Sequence, residues 1–161
     1  MKYLLYILFF VTTIGQAQKV SEVRTQYGSL EKDKVATQAL YDRLKDVSEE
    51  KTLLSGYKGA VLMLQAKHIK GIKNKKKLFK EGALLLEQSI QEKPENIELR
   101  TLRLSVQENA PKILKYNKQI EEDKAFIIAA YSTTKSKSVR DFVNGFVQQS
   151  SNFTAVEKTF F

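Results

Sequence analysis

From residue 19 onward, apolar side chains recur at steps of three and four along nearly the whole chain. That spacing lays them along one face of an α-helix. No run of four to eight residues alternates apolar with polar between turn residues. The reading is an all-α fold with no sheet, built from about seven helices as antiparallel hairpins. Its 161 residues suit one domain with a real core.

The first stripe, Val20, Val23, Tyr27 and Leu30, is followed by Leu40, Tyr41 and Leu44. Gly28-Ser29 divides the two, so helices over about 19–29 and 33–46 are predicted. Ser48 reads as an N-cap ahead of Glu49-Glu50. The helix after it carries Leu53, Leu54, Tyr57, Val61, Leu62, Leu64 and Ile69, and should stop near Gly71. Gly56 and Gly59 inside it each cost about 1 kcal/mol against Ala, a cost tolerated where helix backbones approach closely.

Asn74 reads as the next cap, before the broad stripe Leu78, Phe79, Gly82, Leu85, Leu86 and Ile90. Pro94 ends that helix because proline cannot donate the intrahelical bond. Asn96 then caps a helix with Leu99, Leu102 and Val106 on one face and Ile97 and Leu104 on another. Such a helix should be covered on two sides. Past Pro111, residues Ile113, Leu114 and Tyr116 form a connector, and a helix is predicted from Asn117 to Tyr131. After the polar stretch 132–137, Ser138-Val-Arg-Asp141 resembles a capping box for a helix bearing Val139, Phe142, Val143, Phe146 and Val147.

Ahead of all this, residues 1–17 read as a secretory leader. Lys2 supplies the positive end, Tyr3 to Val11 the apolar run, and Gly15-Gln16-Ala17 the small residues before a cut at Gln18. Tyr3 to Gly15 falls short of the roughly 20 apolar residues that span a bilayer, so cleavage is expected rather than retention as an anchor. Removing 17 of 161 residues leaves 144, and loss of Lys2 lowers the formal charge from +9 to +8. The expected location is periplasmic or secreted, with no transmembrane helix left after cleavage. The organisation is then leader 1–17, a helical domain 18–151, and a tail 152–161 that is either a short docked helix or a flexible end.

Residues 78–100, from Leu78-Phe79-Lys80 through Lys93-Pro94-Glu95-Asn96 to Arg100, resemble the second helix of a tetratricopeptide repeat running into the next repeat. Lys93 stands where the family usually has Asp, and Ser89 lies near the place of its small Ala. The likeness covers about 74–108, roughly one repeat of some 34 residues. The Trp, Leu-Gly and Tyr of the first consensus helix are missing. The resemblance implies helical hairpins forming a curved surface on which a protein or peptide partner docks, lined by polar residues of the helices near 49–66 and 96–108. The mature chain also resembles small exported helical proteins of Bacteroidetes-type bacteria, through Tyr57-Lys-Gly-Ala60, Asn96-Ile-Glu-Leu-Arg100 and Ile120-Glu-Glu-Asp-Lys124.

Chemistry-bearing residues are few. With no Cys there is no disulfide, Cys-ligated zinc or thiol nucleophile, and one histidine, His68, excludes a His–His metal pair. No P-loop, Rossmann, G-x-S-x-G or H-E-x-x-H pattern occurs, so neither an enzyme nor a cofactor is expected. From Lys51 to Lys80 there is no Asp or Glu but nine Lys. Seven of them, Lys67, Lys70, Lys73, Lys75, Lys76, Lys77 and Lys80, crowd one predicted turn. Like charges so close repel, so an anion would be favoured there: a lipid head group, a polyanion or an acidic protein face. A solvated loop is the plainer reading of the same lysines. Nucleic acid is not expected, because the patch has no Arg and Phe79 is its only aromatic.

The remaining candidates read as structural. His68 sits among basic neighbours that disfavour a metal ion. Glu121, Glu122 and Asp123 complement the dipole of a helix first turn. Tyr57, Tyr116 and Tyr131 fall at core spacings, and Asn152-Phe153-Thr154 matches a glycosylation sequon by chance.

Overall fold

A computed structural model describes residues 19–30, 33–48 and 50–161. The leader reading over 1–17 lies outside them. Among the described residues the fold is all-helical, with eight α-helices and no strand. These are α1 (residues 19–28), α2 (Lys34–Leu44), α3 (Thr52–Gln65), α4 (Ile72–Glu92), α5 (Ile97–Asn109), α6 (Ile120–Tyr131), α7 (Lys137–Gln149) and α8 (Ala155–Lys158). A 3-10 turn, Lys112–Leu114, follows Pro111.

Helix α3 has a single charged side chain, Lys58, and is buried on nearly every face, from Leu54 to Met63. A helix apolar all round has to sit inside. Lys58 reaches out so that its Nζ donates to the Lys45 carbonyl at 2.6 Å. Helix α4 runs antiparallel to it: Thr52 Oγ1 donates to Glu92 at one end, and Gly59 meets Gly82 and Leu86 further along. The two backbones lie so close that a Cβ on Gly59 would come within 2.5 Å of the Gly82 carbonyl oxygen and 2.8 Å of the Leu86 nitrogen.

Two apolar clusters share α5. Leu99, Leu102 and Val106 pack with α1–α4, while Ile97 and Leu104 pack with Ile127, Val143, Val147 and Phe153. The two-sided burial expected of this helix is present. Tail residues 152–161 are folded: Phe153 packs on Phe146 and Phe161, and Thr154 and Glu157 form a capping box. The Tyr131 hydroxyl donates to the Phe161 carbonyl at 2.9 Å.

Three predicted caps move. Helix α3 starts at Thr52, not beside Ser48, whose hydroxyl accepts from Glu50 N in a local turn. It also ends at Gln65, six residues short of Gly71. Gly71 is instead the residue before α4, at φ +87°, a left-handed conformation that suits glycine. Asn74 therefore lies inside α4 and bonds back to the Lys70 carbonyl. Likewise α7 begins at Lys137, and Ser138 is taken up by Arg24 and Ser136 rather than by its own helix. Asn96 does cap α5, its Oδ1 accepting from Leu99 N at 3.1 Å.

Candidate functional site

Four charged residues sit in rows where apolar ones are expected, and they pair with each other. Arg24 follows Val20 and Val23 on the inner face of α1. Its Nε and Nη2 donate to the two oxygens of Glu98 at 2.8 and 2.9 Å. The Tyr57 hydroxyl donates to the same carboxylate at 2.5 Å. Arg24 Nη1 also reaches Ser138 Oγ at 3.2 Å, so one guanidinium joins α1, α5 and α7. Burial raises the Tyr57 hydroxyl well above the usual phenol range, reinforced by the Glu98 charge. Burial also holds Tyr27 at about 12, so both hydroxyls keep their protons across the neutral range.

The second constellation adds a partner to the first-turn reading of Asp123, which lies in the first turn of α6 as expected. Asp123 is fully buried. It accepts from Arg103 Nε and Nη2, both at 2.7 Å, and from Arg100 at 3.0 Å. Arg103 Nη1 donates to Glu87, which also accepts from the Tyr116 hydroxyl at 2.6 Å. Glu122 pairs with Arg100 at the surface. A sequence signal did exist: Asp123 lies at i+3 from Ile120 and i−4 from Ile127, in an apolar row. Tyr57 is buried as expected, while Tyr116 and Tyr131 are half-buried.

Helices α1 and α7 are held at one point by Arg24 and Ser138, and by Phe142 packing on Tyr27 and Tyr57. Beside that point is an open cleft of about 710 Å³, lined mostly by α1 and α7 and closed off by the ends of α3 and α5. Its floor is apolar, from Leu30, Leu64, Phe142 and Phe146. Its rim is hydroxyl and amide, from Ser21, Thr25, Ser105, Asn109, Ser138 and Gln149. Gly28 and Gly145 face it with no atom within 4 Å of where a Cβ would stand. Three of the cleft's charged residues have partners, Arg24 in Glu98, Glu108 in the Ser151 backbone and hydroxyl, and Asp141 in Lys137, and Lys67 adds a positive charge.

The polar surface expected on helices near 49–66 and 96–108 is limited to small parts of them. Those segments became α3 and α5, which are buried on several faces. Leu64 near the end of α3 and the end of α5, with Ser105, Glu108 and Asn109, reach the cleft. Nothing in the local sequence marked Gly145 as a cleft residue, because the opening is made by a partner helix more than 100 residues away.

The seven candidate lysines, Lys67, Lys70, Lys73, Lys75, Lys76, Lys77 and Lys80, are all exposed. They occupy the turn after α3 and the first turns of α4. Lys75 Nζ donates to the Lys67 carbonyl at 3.2 Å, and Lys77 lies 3.8 Å from Glu81. His68 is half-buried in the same turn, with its backbone N–H on the Gln65 carbonyl. Helix α4 has no acid in its first turn and no side-chain cap, so its lysines load the positive end of the helix dipole. Reversing one charge relieves this. Lys73→Glu is expected to raise stability by about 0.3–1 kcal/mol, seen as a higher Tm at low salt, and an unchanged or lower Tm would contradict the assignment.

No group of three or more His, Cys, Asp or Glu that could hold a metal occurs among the described residues. No helix among them is long and apolar enough to cross a membrane. No protein family, curated protein or solved structure matches this chain.

Proposed function

We propose that this chain is a small exported interaction module, whose cleft between α1 and α7 docks an extended segment of a partner protein. The observation that carries the reading is the open floor at Gly28 and Gly145, backed by Phe142 and Phe146. Apolar side chains of a docked segment would cover that floor. The hydroxyl and amide rim would meet the segment's backbone N–H and C=O groups, which must find partners once desolvated. Because most of the lining is uncharged and Arg24, Glu108 and Asp141 already have partners, the cleft suits a segment of low net charge. A volume of about 710 Å³ is within the usual range for a ligand site and fits a few side chains of a segment, not a whole domain. The likeness of 78–100 to a tetratricopeptide repeat supports the same role by analogy, and the leader-like residues 1–17 support an extracytoplasmic partner.

The reading is one of binding, not catalysis: the cleft's uncharged polar groups come from several helices and line its rim rather than converging on a reacting atom. Its test uses a phage library of 12-residue peptides selected on the chain. Enriched sequences with two or more apolar residues are expected. Gly145→Trp, which puts an indole into open space, should weaken them at least tenfold, whereas Lys76→Gln should not. Failure to enrich, or peptides indifferent to Gly145→Trp, would overturn the reading. Gel filtration separates the remaining possibility: concentration-dependent dimers abolished by Gly145→Trp would make a second copy the occupant and equally overturn it.

A further inference from the structure

Helix α4 is buried on one side by α3, through Phe79, Gly82 and Leu86, and open on the other. The open side is unusual in two respects at once. It carries a row of lysines, Lys73, Lys76, Lys77 and Lys80, spaced i, i+3, i+4 and i+7 and so sharing one face. It also exposes aliphatic side chains that none of the described residues covers. Ile72 is 86% exposed at the start of the helix, with Lys75 and Lys76 three and four residues on and therefore beside it. Leu84, 60% exposed, continues the lysine row one turn past Lys80.

From this juxtaposition we infer that the outward face of α4 seats on an anionic lipid surface, with Ile72 entering the interface and the lysines meeting lipid phosphates. A soluble polyanion would satisfy the lysines and leave Ile72 in water. An anionic bilayer offers both partners in the right order: phosphate at head-group depth, and hydrocarbon just below it for an aliphatic side chain flanked by long lysine stems. Seating of this kind lays the 21-residue helix along the surface rather than through it, which agrees with its polar composition. Charge complementarity selects the lipid class. Of the row Lys73, Lys76, Lys77 and Lys80, only Lys77 has a carboxylate partner among the described residues, Glu81 at 3.8 Å, so the face is strongly positive. Attraction of this origin falls steeply with salt, because charges beyond about 10 Å are screened at 0.1 M. The inference stands on residues separate from the cleft, and either can fail alone.

The experiment is co-sedimentation of the full chain with vesicles of phosphatidylcholine alone or with 30% phosphatidylglycerol, beside binding to heparin as a soluble polyanion. Residues 1–18 are common to every variant, so differences between variants read α4. Binding at least tenfold tighter to the anionic vesicles is expected, and raising NaCl from about 0.1 to 0.5 M should abolish the preference. Lys73→Gln/Lys76→Gln/Lys77→Gln/Lys80→Gln should lose it. Ile72→Ser should cost about fivefold on vesicles and nothing on heparin. Circular dichroism of each variant should match the parent, since all five positions are exposed. Equal binding to both vesicle types would overturn the inference. So would indifference to Ile72→Ser, which would leave the lysines as a polyanion or acidic-protein face. A variant that loses helicity is replaced by its milder form, Ile72→Thr or Lys→Met, read in the same way.

Discussion

Glu98→Ala is expected to destabilise the fold by about 3–5 kcal/mol, the range for removing one partner of a buried ion pair. Glu98 is 2% exposed and accepts three hydrogen bonds, two from Arg24 and one from Tyr57. Truncation leaves a guanidinium, 9% exposed, with only Ser138 Oγ to accept from it, and a buried phenol hydroxyl with no acceptor. The attraction itself is not the main term. Desolvation of two charges offsets much of it, so removing all the polar groups should cost far less than removing one. Arg24→Met/Tyr57→Phe/Glu98→Leu is therefore expected to recover most of the loss. Urea unfolding of the single and triple variants checks both halves. A loss below about 1 kcal/mol for Glu98→Ala would mean that the pair is solvated and that Arg24 does not anchor α1 on α5.

Gly59→Ala should also destabilise, by about 1–3 kcal/mol, although alanine is the better helix former by nearly 1 kcal/mol. The methyl group would strike the Gly82 carbonyl and the Leu86 nitrogen, which are backbone atoms and cannot swing aside. Helices α3 and α4 would have to separate, opening the packing of Ala60, Met63 and Leu86 around them. Gly82→Ala should behave alike, with Leu62 Cβ and Met63 Cγ both 2.9 Å from the new methyl. Gly145→Ala is the control with the opposite sign. It lies inside α7 facing open space, so only propensity acts and stability should rise by about 0.5–1 kcal/mol. Equal shifts at Gly59 and Gly145 in thermal unfolding would refute the close crossing.

Features decided within a few residues were legible in the sequence. The break at Gly28-Ser29, the stop before Pro94, the Asn96 cap and the two-faced α5 each follow from local backbone preference or from spacing along one helix. Ser48, Asn74 and Ser138 misled because a hydroxyl or amide near a helix start is ambiguous until its competitors are known. Arg24, which claims Ser138, comes from 114 residues away. The burial of Asp123 was not legible, because an acid in a first turn suits the helix dipole whether or not a buried arginine faces it. The clue to both buried pairs was an arginine standing in an apolar row, Arg24 four residues after Val20 and Arg103 four after Leu99. The lysine edge was fully legible, since an acid-free run of 30 residues from Lys51 to Lys80 is a property of sequence alone. Ile72 was not singled out, because only the fold shows which aliphatic side chains stay outside.

The cleft was the least legible part. It is lined by residues far apart in the chain, on α1 and α7 joined at Arg24 and Ser138, and two glycines leave their sides bare. Amide hydrogen exchange of the chain with and without a selected 12-residue peptide tests the docking role directly. Slowed exchange confined to 21–30, 105–109 and 138–150 is the expected result. Slowing centred on 70–81, or none along α7, would contradict it.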